Sequence, residues 1–392
     1  MATVGESPFE ELPEGLVEEM LLRSKQISIE MSSQFGQIFE QKESIRKTLE
    51  KQGLLHNINN LPTPSIYPTS CGIDGAYALE RLVSTDFACV AAVAVEGLTP
   101  PGPEKRYWPK PRFFSHIDLT THNEATSQVL RGMSASIELH LAVHAPHDVV
   151  FLDGSFLTHG IFLNNATVAI SQSPTNLKNV FLKGKDVQNE DNVKFPGFVD
   201  ALNAYKIVLS SSRSDKIFAA LPKYTTKNEV CERLGLPNHE DRGLLNFVLK
   251  GDEFIGPLEV KESAHIKVPT DLQDRDKIEA LVQEITHSLF PKLCIIYYRP
   301  SDFMPVIRVE VTESVAKNSS RLSILLKALQ IQCVSPSIME PYPLYLADRM
   351  VKHLSTALPA IRRSATQEIT ESWKGDVGDI LIATHGYRTE WG

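Results

Sequence analysis

The chain contains 392 residues, of which 42% are hydrophobic and 22% are charged. This composition supports a sizeable folded core and excludes wholesale disorder, and at roughly 100–200 residues per domain the length allows two domains or one large domain with additions. Forty Lys and Arg residues against 48 Asp and Glu residues give a net charge of −8. This charge excludes a protein that coats nucleic acid through bulk positive charge, but it is compatible with an enzyme whose basic residues are local.

Three features of the sequence concern the cellular compartment. No apolar run approaches the roughly 20 residues that span a bilayer. The acidic start, MATVGESPFEELPEG, lacks the apolar stretch of a secretion signal. The five cysteines are far apart and include no CxxC pair, which favours reduced thiols over a disulfide framework. We therefore expect a cytoplasmic protein that does not cross a membrane.

The predicted elements begin with a helical segment over residues 9–55, where apolar side chains recur at helical spacing, and a Pro-, Asn- and Ser-rich linker follows at 57–70. The next five elements are strand, strand, strand, helix and strand, at residues 71–77, 86–97, 112–119, 123–144 and 147–155. The later predicted elements are a helix at 196–212, a fifth strand at 215–223, a helix and turn at 241–254, a hairpin at 294–311 and two late helices.

Two carboxylates stand at predicted strand ends. Asp74 closes the first strand and Asp153 the fourth, and functional sites of open α/β sheets gather at the carboxyl ends of strands. Each is followed by a glycine, which lets the backbone turn sharply beside a ligand. For either pair alone, ordinary Asp-Gly turn chemistry is an equally good interpretation. Two such pairs in one strand–helix–strand unit favour a site.

Glu138 is a third candidate. On a helical wheel it falls opposite the main apolar stripe of its helix, among the small residues Ser134, Ala135 and Ala142. A solvated glutamate is the alternative. Carboxylates on facing elements repel one another unless cations lie between them, and hard oxygen ligands suit Mg²⁺ or Mn²⁺. Two such ions about 3.5–4 Å apart can activate water and stabilise the leaving oxygen in phosphodiester cleavage.

Acidic residues on the first strand, the first long helix, the fourth strand and a late helix form the ribonuclease-H-like arrangement. We therefore predict an α/β fold: a ribonuclease-H-like mixed β-sheet flanked by helices, with an N-terminal helical segment and C-terminal extensions. Seven stretches then resemble, in their order and spacing, the NurA family of DNA-repair nucleases. They are GIDGAY, IELHLA, VVFLDGSF, LPK, DRGLLNFVLKGDEF, YYRPSDFMPVIRVEV and PYPLYLADRMVKH.

The resemblance covers residues 68–355 and implies a division into an N-terminal helical segment (1–60), a nuclease domain (68–355) and a C-terminal extension (356–392). It further implies a toroidal homodimer that cleaves DNA ends with Mn²⁺ or Mg²⁺ and that works with the hexameric HerA translocase. We expect two ions at the site. By the same resemblance Asp74, Glu138 and Asp153 would be metal ligands.

The family often has a Tyr and a His in its last motif. Here the run from Pro343 onwards places Asp348 at the histidine position and Glu340 at the tyrosine position, while His353 gives a rival alignment. We predict Asp348 as the fourth ligand, since carboxylates hold Mn²⁺ or Mg²⁺ as well as imidazole does.

Four basic residues are candidate DNA contacts. Arg106, Lys110 and Arg112 lie in EKRYWPKPRFF, which interleaves cations and aromatics as single-strand binders do, although a loop that packs its aromatics is equally compatible. Lys223 follows the fifth strand and could meet a scissile phosphate, with a solvated lysine as the alternative.

Three functions fit these residues: a metal-dependent DNA nuclease, a catalytically silent DNA-binding or scaffold subunit that regulates the ATPase, and a two-metal phosphoesterase for a small substrate or RNA. Retention of three carboxylates favours the nuclease. The sequence contains no GxxxxGK[ST] motif, so we expect processive action to depend on a partner motor.

Overall fold

The structure is a computed structural model that describes residues 9, 12–98, 112–173, 175–186, 194–210, 213–223, 227–236 and 239–391. Arg106 and Lys110, two of the predicted DNA contacts, lie outside these residues. In the described part of the chain, no helix is both long and apolar enough to cross a membrane.

The described strands are β1 (Leu55–Asn57), β2 (Ser70–Leu82), β3 (Asp86–Glu96), β4 (Phe113–Thr120), β5 (Val149–Asp153), β6 (Lys185–Asp186), β7 (Lys194–Phe195), β8 (Ile217–Leu221), β9 (Glu253–Glu259), β10 (Leu293–Arg299), β11 (Ile307–Thr312) and β12 (Gly386–Trp391). The described α-helices are α1 (Glu14–Lys51), α2 (Thr126–His144), α3 (Phe156–Gln172), α4 (Lys178–Lys183), α5 (Phe198–Ser210), α6 (Glu229–Arg233), α7 (Asp241–Val248), α8 (Arg275–Gln283), α9 (Glu313–Ala316), α10 (Ser319–Gln332), α11 (Tyr342–Lys352), α12 (Leu354–Ser372) and α13 (Val377–Ala383).

A mixed sheet organises the molecule. Its strands lie in the order β1-β9-β10-β11-β8-β5-β2-β3-β4, and β12 pairs with the later half of β2. Strands β2, β3 and β4 form an antiparallel meander, while β5 runs parallel to β2 and β8 parallel to β5. Parallel neighbours need a crossover, which helices supply on one face of the sheet. This 4-3-2-5-8 order is ribonuclease-H-like, and it confirms the predicted fold class.

The sheet is buried on both faces. Alternate residues of β5 show this: Val150 and Leu152 join the core that includes α2, α3 and α5, whereas Val149 and Phe151 join the core that includes α10. Side chains of a strand point alternately to its two faces, so a solid apolar run such as that of β5 indicates packing on both sides.

Two terminal regions extend this core. Helix α1 confirms the predicted N-terminal helix, and its C-terminal residues Ile38, Ile45 and Leu49 pack with α7, β9 and β10. At the other end the proposed boundary after residue 355 falls within the first turn of α12. The domain boundaries stay predictions.

The structure corrects one predicted strand end and adds elements. Strand β2 does not end at Asp74 but continues to Leu82, because it pairs with β3 along nearly its whole length. Helix α3 and strands β9 and β12 were not predicted. The buried face of α3 includes His159, Gly160 and Thr167, while Ile161 is exposed, so its sequence lacks the one-sided apolar pattern that indicates a surface helix.

Candidate metal centre

Asp74 stands where β2 changes its neighbour. One edge of β2 pairs with β5 through Ser70–Ile73, and the same edge pairs with β12 from Ala78 onwards. Asp74 lies just beyond the last β5 partner and is buried, with 7% of its surface exposed. Gly75 is not a turn residue, contrary to the prediction, since the strand continues through it.

Asp153 is the last residue of β5 and pairs with Leu221 of β8. Gly154 adopts a φ of 75° and turns the chain into α3, as predicted for this Asp-Gly pair. The amide of Gly154 donates a 2.9 Å hydrogen bond to Oδ1 of Asp153, which orients the carboxylate. Ser155 then caps α3 by accepting from the amide of Leu157.

Asp348 reaches the same place because α11 packs directly on β2. A Cβ atom on Gly72 would lie 2.5 Å from the backbone nitrogen of Leu344, so only a glycine permits this approach. Gly72 and Asp74 share one face of β2, and Leu344 and Asp348 are one helical turn apart on α11. The close contact therefore brings Asp348 over Asp74.

The three aspartates form one group. A carboxylate oxygen from each of Asp74, Asp153 and Asp348 lies within 4.8 Å of the other two. We call these residues the aspartate cluster. Asp74 and Asp153 thus lie close together on the neighbouring strands β2 and β5. His353, the rival candidate, is exposed just after the end of α11 and is not a member of the cluster.

Glu138 lies outside the cluster, on the α2 side of the sheet. A Cβ atom on Gly75 would meet Oγ of Ser134 at 2.3 Å and Oε1 of Glu138 at 2.5 Å, so Gly75 makes room for this carboxylate. Ser134 donates a 2.9 Å hydrogen bond to Oε1 of Glu138. Glu138 is thus adjacent to Asp74 in space, and its role as a metal ligand stays a prediction.

His159 holds the other oxygen of Glu138. Its Nε2 atom lies 2.9 Å from Oε2 of Glu138, and its Nδ1 atom lies 3.1 Å from the carbonyl oxygen of Ser155. A carbonyl oxygen and an ionised carboxylate are both acceptors, so this arrangement favours the cationic ring, in which both nitrogens donate. Burial alone lowers the pKa of His159, but the hydrogen bond and charge of Glu138 outweigh it and raise that pKa. Sequence reasoning missed this histidine, which no motif marks.

Lys223 inserts its ammonium among the acidic groups. Its Nζ atom lies 3.1 Å from Asp153, 3.0 Å from Glu340 and 3.3 Å from Asp348. Burial lowers the pKa of Lys223, but the charges of these three carboxylates raise it above its ordinary value. Lys223 is therefore a permanent cation between Asp153, Asp348 and Glu340.

Burial and mutual repulsion perturb the cluster. Burial, followed by the charges of Asp153 and Glu138, raises the pKa of Asp74 well above its ordinary value. Burial also raises the pKa of Asp153, although Lys223 opposes the shift. For Asp348, burial is outweighed by the hydrogen bond from Lys352 and the charge of Lys223, so its pKa is lowered. Negative charge at Asp74 and Asp153 is thus only partly compensated by the protein.

Two cavities meet at the cluster. A cleft of about 1160 Å³ is lined by Asp153, Lys223, Glu340 and Asp348, and its lining also includes the basic residues Lys227, Arg242 and Lys352. A second, small pocket of about 170 Å³ is lined by Asp74, Tyr77, Asp153, Asp348 and Ser355, among others. Asp153 and Asp348 line both cavities, so the cluster is open to solvent and to ligands from the cleft.

A buried ion pair supports the turn that carries Asp153. Glu310 of β11 accepts a 2.6 Å hydrogen bond from Oγ of Ser155 and a 3.1 Å bond from the amide of Phe156. The other oxygen of Glu310 accepts from Arg308 at 3.3 Å. A carboxylate from a distant strand therefore satisfies the first amide of α3. Only the tertiary contact reveals this role.

Of the predicted DNA contacts, the structure brings Lys223 into the cleft. Arg112 is exposed immediately before β4 and is not among the residues that line the cleft or the small pocket. Glu340, which was placed at a tyrosine position of the family motif, lines the cleft and pairs with Lys223.

No model of a known protein family matches the sequence, and no curated protein matches it. Solved structures do match the fold. The NurA nuclease from Sulfolobus solfataricus is 13% identical over 93% of this chain and 99% of that chain, with a TM-score of 0.58. A crystal structure of NurA bound to dAMP and manganese is 15% identical over 86% of this chain and 97% of that chain, with a TM-score of 0.46. Endonuclease V from Bacillus subtilis is 12% identical over 77% of this chain and 89% of that chain, with a TM-score of 0.29.

The fold and the site define an α/β protein with a ribonuclease-H-like core and an aspartate cluster formed by the central strands β2 and β5 and by helix α11. The score against the Sulfolobus protein, over nearly the whole of both chains, shows more particularly that the fold is NurA-like. The predicted resemblance is thereby confirmed at the level of the fold.

The donor set of the cluster fits a hard divalent cation. Three carboxylates converge within 4.8 Å, two of them with raised pKa values that a nearby cation would lower. Oxygen ligands of this kind suit Mg²⁺ and Mn²⁺. One or two such ions would compensate the negative charge of the cluster. Lys223 neutralises only part of that charge, since it contacts Asp153 and Asp348.

Proposed function

We propose that this protein is a metal-dependent deoxyribonuclease that hydrolyses phosphodiester bonds in DNA. The observation that carries the proposal is the aspartate cluster: three carboxylates from β2, β5 and α11 lie within 4.8 Å of one another, and two of them, Asp153 and Asp348, line a cleft of about 1160 Å³. The NurA-like fold supports it, since the protein of that fold from Sulfolobus solfataricus is a nuclease.

Asp74, Asp153 and Asp348 would hold the divalent ions, for which we propose two Mn²⁺ or Mg²⁺, and Glu138 would complete the set. When bound, such ions lower the barrier by neutralising charge on the phosphate oxygens and by making water a better nucleophile. The chain itself orients the ligands. The Gly154 amide positions Asp153, and Ser134 and His159 position Glu138.

DNA is the proposed substrate and the cleft its binding site. Arg242 and Lys352 on the cleft wall provide positive charge for phosphates in a protein whose net charge is −8. We further propose resection of DNA ends in repair or defence, a homodimer, a HerA-type hexameric ATPase as partner, and a cytoplasmic location. These finer statements rest on the family resemblance of the sequence motifs.

The direct test incubates labelled single-stranded and double-stranded DNA with the protein in Mn²⁺, Mg²⁺ or EDTA, with and without the ATPase. We expect cleavage with either metal and none in EDTA. Cleavage that is unaffected by EDTA would contradict a metal-dependent mechanism. Light scattering on the same protein tests the homodimer, for which the expected mass is twice 43.7 kDa.

The alternative is a catalytically silent subunit that binds DNA and regulates the ATPase. DNA binding without cleavage in any metal, together with a change in ATPase rate on mixing, would favour that function. Retention of the whole aspartate cluster favours catalysis, because uncompensated buried carboxylates destabilise a protein that does not use them.

A further inference from the structure

Lys223 occupies a position that a divalent ion bound by the same aspartates would have to share. Its ammonium lies 3.1 Å from Asp153 and 3.3 Å from Asp348, two members of the aspartate cluster. It also lies 3.0 Å from Glu340, which is not a member. The lysine side chain is 27% exposed and borders the cleft, so it has a path away from the aspartates.

We propose that the Lys223 ammonium and a divalent cation compete for the Asp153 and Asp348 carboxylates, so that metal binding moves Lys223 into the cleft, where it binds a phosphate group of the DNA. This inference rests on the proposed metal-dependent nuclease function and adds a mechanism in which metal binding favours DNA binding. Lys223 is a positioning and binding residue in this mechanism.

Three physical arguments support the exchange. The ammonium already lies 3.1 Å from an oxygen of Asp153 and 3.3 Å from an oxygen of Asp348, and two cations that share carboxylate oxygens repel each other, so one weakens the binding of the other. Lysine carries its charge at the end of a flexible four-carbon chain and can move without disturbing the backbone. Glu340 lies outside the cluster and can retain the ammonium at the cleft after Asp153 and Asp348 have bound metal.

Other cations near the cluster are placed differently. Lys352 contacts Asp348 at 2.7 Å but is 57% exposed and touches one member of the cluster. Lys227 also lines the cleft, where it pairs with Glu262 and does not contact the aspartates. Lys223 is therefore the residue that bridges two proposed metal ligands, and Lys227 provides a matched control.

The test is a Mn²⁺ titration without DNA, in which electron paramagnetic resonance measures the free ion. We expect Lys223→Met to bind Mn²⁺ at least about tenfold more tightly than wild type, because a like charge at this range shifts ion affinity by one or more powers of ten. Lys227→Met should match wild type. Lys223→Gln, which is polar and uncharged, should also bind Mn²⁺ more tightly than wild type. This variant replaces Lys223→Met in the test if circular dichroism shows that the Met variant does not fold.

The second measurement concerns DNA. In Mn²⁺, the affinity of a phosphorothioate-linked single-stranded oligonucleotide should fall more steeply with salt for wild type than for Lys223→Met. The slopes of log K against log [salt] should differ by about 0.7, the value of one phosphate contact. In EDTA the two slopes should agree, since the aspartates then retain the lysine. A folded Lys223 variant with unchanged or weaker Mn²⁺ affinity overturns the competition while the nuclease proposal stands. Failure of wild type and both variants to bind Mn²⁺ overturns both proposals.

Discussion

At the residue scale, the Asp153 carboxylate receives opposite influences from its surroundings. The Gly154 amide and Lys223 favour its ionised form, while burial disfavours it. A charged ligand held in this way can bind a metal ion strongly without a large rearrangement, since the amide has already oriented it. Replacement by the isosteric amide removes the charge and leaves the packing nearly unchanged.

We therefore expect Asp153→Asn to reduce DNA cleavage by about a thousandfold or more, because the metal loses an anionic ligand. Gel assays with labelled DNA in Mn²⁺ measure the effect. Asp215→Asn is the control, because Asp215 pairs with Arg213 on the surface. This variant should cleave DNA like wild type. Unaltered cleavage by a folded Asp153→Asn protein would favour the silent subunit.

Asp74 links the cluster to stability. Burial and the charges of Asp153 and Glu138 raise its pKa, so the folded protein holds a proton on Asp74 more tightly than the unfolded chain does. Ionisation of Asp74 therefore costs stability above the ordinary pKa of about 3.9, and the cost grows until the pH passes the folded pKa.

In EDTA, Asp74→Asn should melt at a higher temperature than wild type at pH 7.5. The difference should shrink as the pH falls towards 4, where the wild-type carboxyl is protonated in the folded protein. Differential scanning calorimetry across this range measures both effects. A variant that is less stable than wild type at pH 7.5 would show that Asp74 is held by favourable contacts and not under repulsion.

His159 compensates the buried charge of Glu138. We expect His159→Gln to lower the free energy of unfolding by about 2–4 kcal/mol, because it removes the cation and leaves one acceptor unsatisfied. Urea denaturation measures the loss. His116→Gln replaces another buried histidine, 7% exposed, that lies at β4 and makes no contact with Glu138, and it should cost less. Equal losses would contradict a specific role for the pair.

At the scale of elements, the approach of α11 to β2 decides the geometry of the cluster. Asp348 is brought to Asp74 by a backbone contact at Gly72, where a Cβ atom would lie 2.5 Å from Leu344. The helix is otherwise a surface element with exposed residues such as Met350. Its position, and therefore that of Asp348, depends on one small residue in a strand.

Gly72→Ala should displace α11 and reduce cleavage by about a hundredfold, since shifts near 1 Å at a site cost that much. It should also destabilise the protein by about 1–3 kcal/mol through overpacking. Gly36→Ala in the middle of α1, where a Cβ meets nothing within 4 Å, should instead be neutral or stabilising by up to about 1 kcal/mol. Cleavage assays and urea denaturation compare the two, and wild-type activity in Gly72→Ala would contradict the dependence on this contact.

At the scale of the whole molecule, the metal is expected to act as a stabilising ligand. Asp74, Asp153 and Asp348 come from elements that are far apart in sequence, so an ion that binds all three ties the central sheet to α11. A ligand that binds the folded state alone stabilises it by about 2.7 kcal/mol at one hundred times its dissociation constant.

Addition of Mn²⁺ should therefore raise the melting temperature of wild type, and the rise should be much smaller in Asp153→Asn. Thermal melts at a series of Mn²⁺ concentrations measure the shift. The same melts with Ca²⁺ show how strictly the site selects its ion by size. An equal rise in wild type and Asp153→Asn would place the stabilising metal elsewhere in the molecule.

The amino-acid sequence was sufficient for the ribonuclease-H-like order of the central strands, for α1 and α2, and for Asp74, Asp153 and Asp348 as candidates. These features depend on local pattern: apolar runs that form buried strands, helical periodicity, and acidic residues in recurring short motifs. This reasoning did not predict helix α3, because polar or small residues such as His159 and Gly160 stand on its buried face and the apolar Ile161 stands on its exposed face.

Tertiary contacts decided the rest. The continuation of β2 past Asp74 depends on its pairing with β3, and the place of Asp348 depends on the backbone contact between Gly72 and Leu344. The pairing of Glu138 with His159 and the insertion of Lys223 among the carboxylates join groups that the chain holds far apart. Charges act through distance in space, which the sequence alone does not specify, and so the electrostatics of this site belong to the folded chain.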